Sequence, residues 1–513
     1  MRVKKFFKEW KWVILGGVGI LLFALLIRLY HLTLIPVFVD EAIYIRWAQV
    51  MGAEPTLRFL PLSDGKQPLF MWFLMFYIKY LADPLFAGRI LSVISGIGTM
   101  IGIFAVSYLL FKNKIISVVA TIIYTLSPFT LFFDRMALVD AMLTMFGIWT
   151  LFFGILTAKT QRLDMAIIAG FLLGGGMLTK SPAIFFLLLL PVTWILVKKP
   201  KDLIKLIPLF VVTSTVGYGM YNILRLGPNF NLVGSRNQDY ILPISHLWTN
   251  FRDPLIPHLI DIFIKWFPKM GPWPILLLGL IGLMVGWKKY WREKLILIAC
   301  WLGPLFILAE YGKVFTVRYI LFTFPALFIL SALGILSRNK IFKVFYYLFL
   351  GLFIGMALIF DYHLLTNPAK ADLPRSERSG YLEEWTAGDG IREIADYLKT
   401  EELQNPKTKI VVGTEGYFGT LPDGLQMYLN TNPKIIVIGV GLDLNEIPIS
   451  LQESKLAGNK TYLVINESRF GGDPDKLGLK LVACYPKAPR RDKKSKEFYL
   501  KGPQEVLLFF ELK

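Results

Sequence analysis

Residues 84–111 read PLFAGRILSVISGIGTMIGIFAVSYLLF, an unbroken apolar run holding a single charged side chain, Arg89. At 1.5 Å per residue a helix of that length extends about 40 Å, more than the ~30 Å hydrocarbon core of a bilayer. Further runs of the same character lie at 12–30, 115–133, 137–157, 164–180, 182–198, 203–221, 272–287, 294–310, 316–335 and 342–361, which makes eleven expected spans. The whole chain of 513 residues is 55% apolar or aromatic and only 18% charged. That balance excludes a disordered chain and a cytosolic globular enzyme. It also excludes a porin-like barrel, whose strands alternate over short segments. The predicted fold class is an α-helical polytopic membrane protein.

The formal charge of +19 does not point to nucleic acid, because the basic residues sit in short loops and form no stripe beside exposed aromatics. With the N-terminus placed in the cytoplasm, Lys4, Lys5, Lys8 and Lys11 share a side with Lys112 and Lys114, Lys159 and Arg162, the 198–205 lysines, the 288–294 group, and Arg338, Lys340 and Lys343. Positive charge in short loops marks the cytoplasmic side, so much of the +19 is read as a topology signal. Residues 12–30 lack an Ala-x-Ala-like cleavage site and are read as a retained signal anchor. Gln67 to Ala82 is apolar but short; a full crossing there would turn every later basic loop outward, so it is expected to stay at the outer interface. Cys300 and Cys484 are the only cysteines, and His31, His246, His258 and His363 are scattered, so no thiolate cluster or zinc-ligand spacing exists.

Beyond residue 362 the composition turns polar. The expected organisation is a membrane domain over 1–362, a linker over 363–379 and an exterior α/β domain over 380–513. Within the latter, 389–402 has helical periodicity, while 409–414, 434–440, 461–466, 480–485 and 505–512 read as strands. The glycines of VVGTEGYFG, Gly413, Gly416 and Gly419, lack dinucleotide-loop spacing and are read as turn residues.

Chemistry concentrates in three loops expected to face the same side. The first, PVFVDEAIYIRWAQVM (36–51), places Asp40 and Glu41 at a helix start and Ile43, Trp47, Val50 and Met51 on one apolar face, which predicts a helix lying flat on the membrane. A helix cap at Asp40 and a favourable first-turn acid at Glu41 would explain the pair equally well. The second, SDGKQPLFMW, sets Lys66 at an apolar boundary, where a lysine commonly snorkels. The third, FFDRMALVDAMLTMF, holds Asp134, Arg135 and Asp140. An ionisable group as deep as Asp140 is costly without a partner or a wet cavity.

Taken together, Asp40-Glu41, Lys66 with Pro68-Leu69, Arg89 near LSVISG, Arg135 with LVDAML through Asp140, LTKSP at 178–182 and VRYILFTFP at 317–325 resemble the polyprenyl-phosphate-sugar-dependent glycosyltransferases of the GT-C superfamily. The likeness is to the branch of protein O-mannosyltransferases and the lipid A aminoarabinose transferase, over roughly 12–362. The resemblance implies a GT-C fold of about 11 to 13 transmembrane helices and an integral-membrane enzyme. Such an enzyme moves a sugar from a dolichyl or undecaprenyl phosphate to a hydroxyl of a protein, glycolipid or envelope glycan outside the cytoplasm. Asp40 is the implied base, with Glu41 and Asp140 as further catalytic candidates. Lys66, Arg135, Lys180, Arg318, Tyr319 and Tyr44 are the candidate substrate-binding residues. Arg318 presents a planar fork suited to phosphate, and the segment 222–271 is expected to cover part of the site. The DxD-like acidic motifs that hold a divalent ion in the oligosaccharyl branch are missing, so the expected transfer is inverting and needs no metal or other cofactor. The expected partners are the lipid-linked donor, the acceptor and the bilayer, without nucleic acid. A flippase or transporter of lipid-linked sugars is the competing function, though repeated halves and midplane charges, its usual marks, are not visible. A surface protein merely anchored by its spans would not need eleven of them.

Overall fold

The computed structural model describes residues 2–513, with side chains from Glu9 onward; those of Lys4, Lys5 and Lys8, used above for orientation, lie outside the described residues. The chain runs through α1 (Arg2–Leu29), α2 (Val39–Ala53), α3 (Leu69–Tyr80), α4 (Pro84–Phe111), α5 (Lys114–Leu126), α6 (Pro128–Phe133), α7 (Val139–Thr160), α8 (Leu163–Thr179), α9 (Ile184–Leu189), α10 (Pro200–Tyr221) and α11 (Phe230–Tyr240). The short α12 (His246–Asn250) and α13 (Leu255–Ile260) lead to α14 (Pro274–Met284), α15 (Trp287–Tyr311), α16 (Phe324–Ala332) and α17 (Lys340–Thr366). After α18 (Arg375–Arg378) and α19 (Ile391–Gln404) come β1 (Ile410–Glu415), α20 (Asp423–Leu429), β2 (Ile435–Gly441), α21 (Ile449–Leu456), β3 (Lys460–Asn466), β4 (Leu479–Pro486), α22 (Lys496–Lys501) and β5 (Val506–Leu512). Two compact units result: residues 1–31, 56–73 and 89–372 form the first, and 32–55, 74–88 and 373–513 the second.

Seven helices of the first unit are long and apolar enough to cross a membrane, among them Glu9–Leu29, Pro84–Phe111 and Lys340–Thr366. The other four expected spans coincide with shorter apolar helices, and proline explains two of them. Pro128 cannot continue the hydrogen-bond ladder of α5, so that helix stops at Leu126 and α6 begins anew. Pro191 likewise turns the end of α9 into a 3-10 stretch. α3 has 12 residues, about 18 Å of helix, and is one of the shorter apolar helices.

The basic loops meet at one end of the first unit. Lys114 donates to the Glu9 carbonyl at 2.7 Å and stands 4.2 Å from the Trp10 ring. Lys159 donates to Leu109 O at 3.0 Å, Phe111 packs edge-on to Tyr290, and Arg292 reaches Val197 O at 3.4 Å. α7 ends in this cluster at Lys159 and begins at the opposite end with Asp140.

Close helix contacts are made by small residues, as expected where lipid supplies no hydrophobic drive between helices. A Cβ on Gly170 of α8 would stand 2.7 Å from Val216 Cβ, while Thr213 of α10 donates to Ala166 O at 2.9 Å. The tightest approach is Gly282 of α14, where a Cβ would lie 1.8 Å from the Leu330 carbonyl of α16. Backbone cannot yield as a side-chain tip can. Gly282→Ala is therefore expected to cost about 1–3 kcal/mol or more, read as a lower detergent-resistant melting temperature, whereas Gly355→Ala on α17, which meets open space, should leave it unchanged.

α1 is tied down by a buried ionic knot. Arg28 is fully buried and donates from Nε to Asp134 Oδ2 at 3.0 Å, and Tyr124 donates to the same oxygen at 2.8 Å. Gly96 leaves room for that carboxylate: a Cβ there would sit 2.4 Å from it. Arg135 donates to the carbonyls of Ile27, Arg28, Tyr30 and His31 at 2.7–3.0 Å. The first two are last-turn carbonyls of α1 and the other two belong to the residues that follow it, so Arg135 caps the end of the helix and the turn after it.

In the second unit one sheet runs in the order β2-β1-β3-β5-β4, with β2, β1 and β3 mutually parallel and β5 antiparallel to both β3 and β4. All five strands and α19 lie within two residues of their expected positions. Gly416 and Gly419 have φ of +71° and +123°, the turn geometry expected of them. The first-loop helix corrects its expectation. α2 packs against α20: Gln49 Nε2 donates to Met427 O at 2.8 Å, Arg46 Nη1 to Asn430 Oδ1 at 2.7 Å, and Trp47 lies 5.7 Å from the Phe418 ring. Ala42, Ile45 and Ala48 are buried beside Ile43 and Met51, so the helix is covered on more than one face rather than laid flat on lipid. The expected linker is also largely ordered, since α17 reaches Thr366 and α18 follows at Arg375.

Burial raises the Asp389 carboxyl to about 6 and lowers the Lys487 ammonium to about 8, each opposed by the other's charge. A carboxyl raised on folding contributes stability below its unfolded pKa, lost as pH climbs through the folded value. Stability of this unit should therefore fall between pH 4 and 6. Asp389→Asn should reduce that fall by of order 2 kcal/mol, the raised Glu415 and Asp423 carboxyls supplying the remainder, read by hydrogen exchange of the β1 and β3 amides in the full chain. A fall of the same size in the variant would refute the assignment.

Candidate active site

In the first unit the site is built where α7 begins and α8 ends, away from the basic loops. Asp140 opens α7 and is 3% exposed. Its Oδ1 accepts from Lys180 Nζ at 2.7 Å, and Oδ2 is buried without a hydrogen-bond partner. Lys180 is the residue on which α8 stops, in extended conformation before Ser181-Pro182, so its side chain leaves the helix axis. The ammonium stands 4.3 Å from the Tyr319 ring, within cation–π range. Asp140 therefore positions Lys180, while Arg135, five residues earlier, turns to the carbonyls at the end of α1.

Lys66 arrives from a different direction. Gly65, with φ of +68°, terminates a 3-10 turn, and the next two residues project toward the same region: Gln67 Nε2 donates to Ser181 Oγ at 2.8 Å, and Lys66 Nζ lies 3.3 Å from Asp64. A Cβ at Gly65 would stand 2.7 Å from Arg236 Cβ, so glycine is required for α11 to come this close. Arg236 pairs with Asp64 and with Asp239. Tyr240, also on α11, is raised by burial and by the Tyr319 and Asp64 charges while the Lys66 ammonium opposes, which sets it within electrostatic reach of Lys66 and Tyr319. Arg318 and Tyr319 occupy the 3-10 stretch Val317–Thr323, both partly exposed.

A narrow apolar groove lies further along the same elements, lined by Gly147, Leu151, Phe186, Cys300, Phe322 and Ala326 among others. Gly147 lies two helical turns, about 10 Å, beyond Asp140 on α7. Phe322 follows Tyr319 by three residues, and its ring is 5.7 Å from that of Phe186.

The remaining candidates belong to the second unit. α2 starts at Val39 with Phe38 as its cap residue, so Asp40 is not the cap. Glu41, fully buried, accepts from Phe38 N through Oε2 at 3.0 Å, which makes it the residue that fixes the helix start. Asp40 is partly exposed on the first turn, and Tyr44 is buried with its ring 6.1 Å from Trp47. Among the described residues no three His, Cys, Asp or Glu side chains gather as a metal site; His246 meets Glu310, and His258 meets the Ala309 carbonyl. Sequence reasoning missed Asp64, Gln67, Arg236 and Tyr240 as neighbours of Lys66. Only the polar character of 222–271 hinted at the last two.

Residues 65–218 match the family model described as dolichyl-phosphate-mannose-protein mannosyltransferase. Among solved structures, ArnT from Cupriavidus metallidurans in the apo state matches with a TM-score of 0.57 at 14% identity, covering 98% of each chain. The same protein bound to undecaprenyl phosphate matches at 0.54 and 16% identity, covering 97% of this chain and 98% of that one. No curated protein sequence matches the chain. At these identities the likeness establishes the fold, which is of the GT-C type expected from the sequence and extends through the terminal sheet domain.

Proposed function

We propose that this protein is a membrane glycosyltransferase that moves one sugar from a polyprenyl phosphate to an acceptor hydroxyl on the extracytoplasmic side. The observation that carries the reading is a cation cluster, Lys66 and Lys180 with Tyr319, on the same elements that line an apolar groove further along, α7 and the 3-10 stretch Val317–Thr323. A phosphate esterified to an isoprenoid needs both at once. Further support comes from the family-model match, which spans Lys66, Asp140 and Lys180, and from the undecaprenyl phosphate described in a structure of the same fold.

In this reading Lys66, Lys180 and Arg318 hold the donor phosphate. As the acceptor oxygen attacks the anomeric carbon, the carbon–oxygen bond to phosphate breaks and polyprenyl phosphate leaves with the electron pair. The lysines stabilise the charge that grows on the phosphate oxygen. The base we propose for the acceptor's proton, on the resemblance of Asp40-Glu41 to the family, is Asp40, a partly exposed acid in the first turn of α2. Attack opposite the leaving group inverts the anomeric centre. The basic loops gathered at the far end of the helices support a cytoplasmic assignment for that end, and hence an extracytoplasmic site and terminal domain.

The lysines supply the positive charge that a divalent ion supplies elsewhere, so transfer is expected to survive excess EDTA within about twofold. The function itself is tested with purified protein in lipid nanodiscs and radiolabelled dolichyl- or undecaprenyl-phosphate sugars, scoring transfer and slow release of free sugar. Release that disappears in Lys180→Ala is the expected result. No release from any donor, with labelled lipid carried across liposomes instead, would favour the flippase and overturn the proposal.

A further inference from the structure

The carboxyl ends of the three parallel strands form an edge of the second unit that the transfer reading leaves unused. Loops diverge from such edges, which is why open sheets of parallel strands collect ligands there. β1 ends here at Glu415, 2% exposed, whose carboxylate accepts from Asn466 N at 2.8 Å, from Asn466 Nδ2 at 2.7 Å and from Arg469 Nη1 at 3.3 Å. The Arg469 guanidinium also stacks on Trp385, 4.0 Å from the ring. Asn466, 1% exposed, and Ser468 next along each retain a buried oxygen without a hydrogen-bond partner.

An aromatic face lies beside this polar group. Tyr417 is 73% exposed, in a loop that descends over the end of β2 because Gly439 and Gly441 carry no side chains. A Cβ on Gly439 would stand 2.9 Å from Tyr417 Cα, and one on Gly441 3.7 Å from Tyr417 Oη. The same loop touches the start of α2, since a Cβ on Gly419 would lie 3.3 Å from Val39 Cγ2 and 3.9 Å from Trp385 Cζ3. Val39 N in turn donates to Thr386 O at 3.2 Å. The edge therefore adjoins the residue that precedes Asp40.

We propose that this edge is a carbohydrate-binding subsite: a pyranose ring lies on the Tyr417 face with its hydroxyls toward Arg469 and the strand-end polar groups. That this sugar belongs to the acceptor rests on the transfer reading; that the edge binds a sugar does not. A pyranose has an apolar C–H face rimmed by hydroxyls, which calls for a rigid aromatic surface beside planar hydrogen-bonding groups. Arg469, held against Glu415 at 3.3 Å and stacked on Trp385, is a fixed planar donor at this edge.

The test is saturation-transfer NMR on the full chain in nanodiscs, with methyl glucoside, mannoside and galactoside as probes. Millimolar binding of at least one glycoside is expected, lost in Tyr417→Ala and weakened about tenfold or more in Arg469→Gln. It should persist in Tyr499→Ala, a 75% exposed tyrosine on α22. No signal from any glycoside in the unaltered protein, or a signal indifferent to Tyr417→Ala, overturns the proposal. So does strong quenching by doxyl lipids of a fluorophore on Tyr417→Cys in a Cys300→Ala, Cys484→Ser background, which would assign the patch to the bilayer. None of these readouts needs turnover, so failure here is distinct from failure of the transfer reading.

Discussion

Asp40→Asn is expected to lower sugar transfer at saturating donor by about 10²- to 10⁴-fold, the usual contribution of a positioned general base. The affinity for polyprenyl phosphate should stay within about threefold, because the amide keeps the shape and loses only the proton-accepting oxygen. The buried neighbour gives the contrast: Glu41 fixes the helix start by accepting from Phe38 N, so Glu41→Gln should act first on stability and only then on rate. Single-turnover measurements with preloaded labelled donor separate the two. Equal loss of chemistry in both variants at unchanged melting temperature would move the base from Asp40 to the pair.

The second large effect is expected at Lys180. Lys180→Ala should raise the Kd for polyprenyl phosphate by about 10- to 100-fold, the worth of one or two hydrogen bonds to a charged group. It should also destabilise the protein, since Asp140 would be left with its carboxylate buried and unpaired. Removing both charges distinguishes these effects. Lys180→Met with Asp140→Asn should restore much of the thermal stability without restoring donor affinity. If the double variant regains binding, the pair is a structural bridge and the phosphate lies elsewhere.

Elements set by local pattern were legible in the sequence, and elements set by distant partners were not. Short runs rich in β-branched and aromatic residues placed the five strands, yet nothing in them specified the order β2-β1-β3-β5-β4, which depends on non-local pairing. α2 carries apolar residues around much of its surface, a composition equally suited to a lipid interface and to the groove it finds against α20. Arg135 in a turn reads as a phosphate ligand as readily as a cap. Its role follows only from the end of α1, more than a hundred residues earlier, being brought beside it. Asp140 announced itself because a carboxylate in an apolar run needs a partner, but that partner lies forty positions away. Tyr240 and Arg236 were marked only by the polar character of 222–271, which names no partner.

The central claim is that the donor phosphate sits between Lys66 and Lys180 with its lipid in the groove toward Cys300. Structure determination of the protein in nanodiscs with added undecaprenyl or dolichyl phosphate tests it most directly. The account predicts phosphate density within about 3 Å of both ammonium groups and isoprenoid density along Gly147, Phe186 and Phe322. Phosphate bound instead among the basic loops around Lys114, Lys159 and Arg292, with the groove empty, would contradict it.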